Sequence, residues 1–369
     1  AGSEVAAPPQ EVAVSSFDHA MMARALALGA KGLYTTTPNP RVGCVLAQGE
    51  AIVGEGWHER AGGPHAEVVA IGQAGARAAG ATLYVNLEPC SHHGRTPPCV
   101  DLIAKSGIKR VVAAMLDPNP KAAHGGARLA AAGIGFEHGL MEQEAKELNI
   151  GFVSRMTRGR PWVRMKIAAT LDGRTALGEG PNACKSQWIT GPEARKDGHR
   201  WRARACAILT GIGTVKADDP RLTVRDVETP RQPLRVVVDS RLEISDKAKI
   251  LAGGNVLIFA GIENKRNLNA EVISLPNKSN KVELPLMLEE LARRGVNELH
   301  VEAGFRLNGS LVREGCVDEF LIYLNPSFLG DEAQGMVSLS GISALDERVK
   351  IKIMSLDRVG DDIRILART

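Results

Sequence analysis

The sequence predicts two α/β domains in series, and three observations carry that reading. Apolar strand-like runs alternate with helical stretches through all 369 residues, a length suited to two domains. Histidine is lopsided: His19, His58, His65, His92, His93, His124 and His138 crowd the first part of the chain, and only His199 and His300 follow. Between the halves, Met156-Thr157-Arg158-Gly159-Arg160-Pro161 is short, basic and punctuated by Gly and Pro. The expected division is a flexible tail over 1–15, a first domain over 16–150, a linker over 151–160 and a second domain over 161–369.

Composition sets bounds on function. With 44% hydrophobic and 24% charged residues the chain reads as an ordinary globular protein. Its net charge of +4 is too weak to call for nucleic acid, and the second half, at +6 against −2 for residues 1–147, mildly suits phosphate-bearing ligands. No apolar run approaches the roughly 18 residues of a membrane helix, so no membrane is expected. Residues 1–15 lack the basic start and apolar core of a secretion signal. Six scattered cysteines make no disulfide framework, and a reducing, cytoplasmic location is expected. Cys44, Cys206 and Cys316 lie in or beside apolar runs as core residues; Cys184 stands in a polar loop without an assigned role.

The first half reads in order. Ser15-Ser16-Phe17-Asp18 has the look of a capping box opening a helix to residue 30. Residues 42–47 and 51–56 flank Gln48-Gly49-Glu50 as a hairpin. Gly62-Gly63-Pro64 ends a loop with a proline suited to a first helical turn, and a helix follows over 65–79. Residues 82–88 read as a buried strand, and Pro97-Pro98 opens another helix. A strand over 109–115, a helix from Gly125, a short strand near Ile134 and a helix over 142–149 complete the half. Such alternation predicts a largely parallel sheet with ligands at its strand C-termini.

Those strand ends carry chemistry. His65 and Glu67, then Cys90 and Cys99, stand in the order His-x-Glu, Pro-Cys, Cys of zinc deaminases, with eight residues between the cysteines where the common signature has two. Catalytic zinc takes three protein ligands and keeps a position open for water, whose pKa it lowers from about 15.7 to about 7. His65, Cys90 and Cys99 supply three ligands, and Glu67 is left as acid and base. A closed structural zinc site completed by His92 or His93, or buried cysteines without metal, are the other readings; a carboxylate two residues from a ligand has no task in either. Asn39, His58, Asp117 and Asn119 also fall at this sheet edge. Asn-Pro and Asp-Pro pairs are common turn chemistry, and their place beside the cysteines points to ligand contact.

In the second half a strand over 162–169 ends in Thr170-Leu171-Asp172-Gly173-Arg174. A polar-faced helix begins at Gly191-Pro192-Glu193 and runs to residue 204. Strands follow over 206–210, 234–238, 256–260, 298–302 and 320–324, with helices over 282–295 and 307–314. No GxGxxG follows any of these strands. Two glycine turns open helices, at residues 211–214 and 304–310, where phosphates bind in other folds; tight turns without ligand are the alternative.

The motifs TxPNPxVG, GGPHAE, LEPCSHHGRTPPC and DPNP resemble the deaminase half of the bifunctional riboflavin-biosynthesis deaminase–reductase family, whose cysteines are widely spaced. LDGR, SQWIT, KADDPxLTxR, VVxDSxL and VEAG resemble its reductase half, so the likeness covers nearly the whole chain. It implies a cytidine-deaminase-like zinc domain followed by a dihydrofolate-reductase-like domain. The implied reactions are hydrolytic removal of the ring 2-amino group from a diaminopyrimidinone carrying a 5-phosphoribosylamino group, then NADPH reduction of the ribosyl group to ribityl. Implied deaminase substrate contacts are Asn39, His58, His92, Asp117 and Asn119, with Arg95 on the phosphate, where a guanidinium forks onto oxygens. Implied cofactor contacts are Ala168, Trp188, Thr214, Asp218, Ser240 and the run Gly304, Phe305, Arg306, Leu307, Asn308, Gly309, Ser310. Ser186, Arg202, Leu222, Arg225 and Glu302 are the implied reductase substrate contacts, and Lys166 and Asp172 are candidates for ring opening or proton transfer. Residues 178–185 run longer than is usual in the family, and Phe305-Arg306 replace smaller residues. The expected partners are small phosphoribosylaminopyrimidines and further copies of the chain, as dimer or tetramer. A nucleic-acid or nucleoside deaminase with a non-catalytic C-terminal domain, and an inactive zinc scaffold, are the competing readings. The first would need a basic aromatic groove, and the first half has neither charge nor aromatics for one.

Overall fold

The computed structural model describes residues 15–92, 97–178 and 188–369. His93, Arg95, Cys184, Ser186 and the tail before Ser15 lie outside the described residues, as does most of the 178–185 loop. The chain divides into two compact units, Ala1–Thr36 with Arg41–Asn149 and Thr37–Pro40 with Ile150–Thr369.

The first unit begins with α1 (Ser16–Ala30), capped as expected. Ser15 N donates to Asp18 Oδ2, and Asp18 N donates to Ser15 Oγ, each at 3.0 Å. β1 (Gly43–Gln48) and β2 (Ala51–Trp57) form the hairpin. Gly43 lets β1 lie on α1, since a Cβ there would come within 2.0 Å of Ala25 O. Then follow α2 (Ala66–Ala74) with a 3-10 turn at Gly75–Ala78, β3 (Thr82–Val85), α3 (Cys99–Lys105), β4 (Arg110–Ala113), α4 (Gly125–Ala131), β5 (Gly135–His138) and α5 (Glu142–Leu148). The helix expected over 65–79 thus starts one residue later and tightens early. The sheet order is β2-β1-β3-β4-β5. β3, β4 and β5 are parallel, while β1 runs antiparallel to both β2 and β3. The sheet is therefore mixed where a largely parallel one was expected, because a tight hairpin can only reverse the chain. Its core packs Leu46, Leu83, Val111 and Ile103 with the alanine face of α2.

The second unit opens with α6 (Ile150–Arg158), which occupies most of the expected 151–160 linker. The basic residues that suggested a linker are anchored, since Arg158 (2.8 Å) and Arg160 both donate to Asp318 Oδ1; upstream in the helix Arg155 Nε donates to Asn297 Oδ1 (2.6 Å) and Phe152 is buried. Gly159 ends the helix at φ +68°, in the left-handed region that favours glycine. Residues 37–40, expected in the first domain, group with this unit. Pro38 O accepts from Asn297 Nδ2 at 3.0 Å.

Strands and helices then alternate through β6 (Trp162–Thr170), β7 (Arg174–Ala176), α7 (Pro192–Arg204), β8 (Ala207–Gly211), α8 (Ile212–Asp218), β9 (Leu234–Val238), β10 (Val256–Ala260), β11 (Glu271–Ser274), α9 (Leu284–Arg293), β12 (Glu298–Val301), α10 (Phe305–Arg313), β13 (Glu319–Asn325), β14 (Gln334–Gly335), β15 (Lys352–Val359) and β16 (Asp362–Arg368). The main sheet runs β11-β10-β9-β8-β12-β6-β13-β16-β15. Seven strands are parallel; the inner ones, β8, β9 and β10, are buried on both faces, which explains their long apolar runs, while β11 at the edge is partly exposed. The C-terminal hairpin extends the sheet antiparallel.

Candidate active sites

In the first unit the local folding rules bring four side chains of the motif together. His65 is the N-cap of α2, in extended conformation with ψ 158°. Because it precedes the helix, its ring can share a site with Glu67 in the first turn, although residues two apart diverge within a helix. β3 leads the chain to Cys90, and Pro98 caps α3 so that Cys99 is its first residue. His65 Nδ1 lies 3.3 Å from Cys99 Sγ and 3.6 Å from Cys90 Sγ. Cys99 N donates to Cys90 Sγ at 3.4 Å. The three ligand atoms lie within 4.8 Å of one another.

Glu67 is buried beside them, and burial raises its carboxyl above the usual range, opposed by His65. The hydrogen bond with Cys99 pushes the Cys90 thiol below its ordinary range. One imidazole, two sulfurs and an adjacent non-ligating carboxylate are the donor set of an open catalytic zinc site. His92 stands exposed, and no fourth ligand joins the group among the described residues.

Of the flanking residues, His58 stands against this group. His58 is buried, its ring 5.5 Å edge-on from that of His65, with Nδ1 2.9 Å from Pro64 O. Burial lowers its pKa. Asp117 and Asn119 sit on the turn after β4. Asn119 N donates to Asp117 Oδ1 (2.8 Å), and Lys121 N donates to Asn119 Oδ1 (3.1 Å). Burial pushes the Asp117 carboxyl up to about 7 against that Asn119 N–H. Glu88, absent from the expected set, accepts from Asp117 N (3.0 Å) and from Gly126 N (2.9 Å). Asn39 lies in the 37–40 segment that groups with the second unit.

In the second unit the two glycine turns converge. Gly211 caps α8 and Gly304 caps α10, at the ends of the adjacent parallel strands β8 and β12. A Cβ on Gly304 would lie 3.5 Å from Thr214 Oγ1, and one on Gly211 would lie 3.0 Å from Leu307 Cδ2. Gly304, Thr214 and Leu307 therefore share one corner. Asn308 and Gly309, expected to line a cofactor, are instead buried under residues 336–338. Asn308 Nδ2 donates to Met336 O (3.2 Å), Ser338 N donates to Phe305 O (3.0 Å), and a Gly309 Cβ would strike Ser338 O at 2.1 Å. Ser310 hydrogen-bonds within α10, and Arg306 is exposed.

Arg202, Glu302 and Lys166 form a second cluster. Arg202 grips Glu302 with two hydrogen bonds, at 2.5 and 2.8 Å, and donates to Thr223 O at 3.1 Å. Its guanidinium is engaged because Glu302, largely removed from water, needs a countercharge. Burial would raise the Glu302 carboxyl, yet Arg202 holds it well below the usual range. Burial lowers the Lys166 ammonium, with Glu302 pulling the other way.

Asp172 stands at the exit of β6. It accepts from Leu329 N (3.2 Å), Gly330 N (2.8 Å) and the Thr170 hydroxyl, so it ties down a turn. Leu222 is buried at φ +49°, and Arg225 is exposed beside Thr223. Ser240 Oγ accepts from Val282 N at 3.1 Å. Ala168 sits opposite Tyr323 in the β6–β13 register, and Asp218 closes α8. Trp188 is exposed under the Arg195 guanidinium, 4.1 Å from its ring centre.

Comparison with known proteins decides the family. Residues 15–115 match the family described as cytidine and deoxycytidylate deaminase zinc-binding region, and residues 161–365 match the RibD C-terminal domain. The riboflavin biosynthesis protein RibD of Escherichia coli is 44% identical over 362 residues, covering 94% of this chain and 98% of that protein. The chain belongs to the RibD family. RibD of Haemophilus influenzae is also 44% identical, over 95% of this chain and 97% of its own. The solved structure of Acinetobacter baumannii RibD aligns with a TM-score of 0.89 at 39% identity, covering 95% of this chain and 98% of that one. A Thermotoga maritima diaminohydroxyphosphoribosylaminopyrimidine deaminase/5-amino-6-(5-phosphoribosylamino)uracil reductase aligns at 0.84 and 34%, with the same coverage. This RibD-family chain is a bifunctional enzyme of riboflavin biosynthesis, with a zinc-binding deaminase domain followed by an NADPH-dependent reductase domain.

Proposed function

We propose that the first unit removes the ring 2-amino group of a diaminopyrimidinone bearing a 5-phosphoribosylamino group, and that the second reduces the ribosyl group of the product to ribityl. The observation that carries this reading is the meeting of His65, Cys90 and Cys99 beside buried Glu67. Zinc held by those three residues supplies Lewis acidity and an acidified water. Glu67, kept proton-hungry by burial, takes a proton from water and delivers it to the departing amine. His58, Asp117 and Asn119 hold the pyrimidine, His92 contacts it from the exposed side, and Arg95 binds the phosphate.

In the second unit, the chemistry supplied by bound NADPH is a hydride. The corner of Gly304, Thr214 and Leu307 receives its phosphates at two helix starts, and Ala168, Trp188 and Ser240 line the remainder. Lys166, lowered by burial, moves a proton at the ribose oxygen as the ring opens. Glu302 orients Lys166 and is itself held by Arg202; Leu222 and Arg225 bound the substrate. The enzyme works on small molecules in the cytoplasm as a homo-oligomer, without nucleic acid or membrane; light scattering on the purified protein measures the assembly.

NADPH oxidation with the diaminopyrimidine substrate, with and without a zinc chelator, tests the order of reactions. Consumption that stops on stripping zinc is expected. Consumption that survives complete metal removal would show that reduction does not wait for deamination.

A further inference from the structure

We infer that Glu88 is a positioning residue for deamination: its carboxylate fixes the Asp117–Asn119 turn relative to the Cys90 loop, and so sets where the substrate ring lies against the reacting centre. The inference rests on the reading of Asp117 and Asn119 as substrate contacts.

Glu88 lies between β3 and Cys90 and is buried. Both carboxylate oxygens are used, and both on backbone. Oε2 accepts from Asp117 N (3.0 Å) and Oε1 from Gly126 N (2.9 Å), at the start of α4. Its own N–H donates to Met115 O at 2.9 Å. One residue therefore holds the end of β4, the turn after it and the helix after that. A carboxylate accepts such bonds about twice as strongly as a neutral group, and negative charge at a helix start adds to it.

The neighbours finish the same joint. Ser91 Oγ donates to Ala123 O (2.6 Å), and Ser91 N donates to Ala122 O (3.2 Å). A Cβ on Gly125 would come within 1.9 Å of Pro89 O, so the close approach of the two segments requires glycine there. Asn119 accepts from Lys121 N through Oδ1, which aims its Nδ2 by fixing the amide plane. Glu88 touches no reacting group in this arrangement; it acts through the turn. Fixing a contact residue from behind is how binding geometry is held to fractions of an ångström.

The test is Glu88→Gln in the full chain, assayed as ammonia release from the diaminopyrimidine substrate. The amide has the same shape, but its NH2 faces a backbone N–H donor, so one of the two bonds is lost. KM is expected to rise about tenfold while kcat falls less than threefold. Zinc content and reduction of the deaminated substrate stay at wild-type values. Amide hydrogen exchange over 115–126 speeds up while that of α2 does not. Leu129→Ala, in the core of the same unit, is the control: it lowers the melting temperature and leaves KM alone.

A wild-type KM in Glu88→Gln would overturn the inference. So would a KM rise matched by Leu129→Ala at equal loss of stability, since that would make the effect structural. If Glu88→Gln does not fold, Glu88→Asp, with a shorter reach to the same donors, decides by the same KM. Asn119→Ala separates the two readings. A KM unchanged in Asn119→Ala, with Glu88→Gln still raised, would remove Asn119 from the substrate contacts and leave Glu88 acting through Asp117.

Discussion

Glu67 is the residue on which the proposed deaminase chemistry turns, and its surroundings make a sharp prediction. Glu67→Gln keeps the shape and the three metal-binding side chains, so zinc content is retained. Without a group to carry the proton, ammonia release drops about a thousandfold. Metal analysis and an ammonia assay on one preparation check both halves of that statement, and normal deamination would end the proposed role. Cys90→Ser acts the other way: bound zinc falls below one per chain, and unchanged stoichiometry would take Cys90 off the ligand set. Lys166→Met probes the second site. NADPH oxidation with already deaminated substrate is expected to fall about a hundredfold, with ammonia release from the first substrate unaffected.

At the scale of elements, the N-terminal helix is fastened by charge as much as by packing. Asp18 stands in the first turn of α1, where Tyr84 Oη donates to it at 2.6 Å and Arg110 at 2.7 Å, besides the cap bonds from Ser15. Burial alone would raise its pKa; Arg110, Tyr84 and Ser15 outweigh it and hold the carboxyl far below its ordinary 3.8. A depressed folded pKa stabilises the unit above the unfolded value and loses that contribution as pH falls through the folded one. Acid titration of the wild type should therefore destabilise the first unit below about pH 4. Asp18→Ala should cost about 3 kcal/mol at neutral pH and flatten that acid dependence, read by denaturant melts at several pH values.

Elements with a strong local signal were legible in the sequence: the Ser15–Asp18 cap, the Gly49 hairpin and the parallel strands with their unbroken apolar runs. α6 was hidden because Arg155 and Arg158 look like solvated linker charges until Asn297 and Asp318 are seen beside them. The C-terminal hairpin was hidden because Ile353, Met354 and Leu356 in β15 do not alternate with polar residues and stay exposed. The same logic divides the sites. His65, Glu67, Cys90 and Cys99 announce themselves because zinc chemistry demands those residue types. Glu88 is silent, since its partners are two backbone N–H groups that leave no trace in sequence. The Arg202 pairing is silent for the related reason that its partner, Glu302, stands 100 residues away.

For the whole molecule, the two activities rest on separate cores. One hydrophobic cluster is built from residues 44–134 and another from residues 163–320. Damage to one catalytic group should leave the other reaction intact. The Glu67→Gln chain is expected to consume NADPH normally when given the deaminated product and to be inert with the diaminopyrimidine. Loss of both reactions in that variant, with the fold intact by circular dichroism, would mean that the sites are not chemically independent.

α6 also bears on anyone who cuts this chain in two. The recognisable reductase sequence starts at residue 161, and a scissors placed there would discard a helix that packs on the central strands β6 and β12 and whose Arg155 and Arg158 brace the chain just before β12 and β13. A fragment begun at Ile150 keeps that brace. One begun at Trp162 would expose fresh apolar surface and two stranded acceptors, at Asn297 and Asp318, and it should precipitate where the longer piece stays in solution. Even the longer piece would lack residues 37–40, which the second unit borrows from far upstream, so the gene's two halves cannot be separated cleanly by any single break.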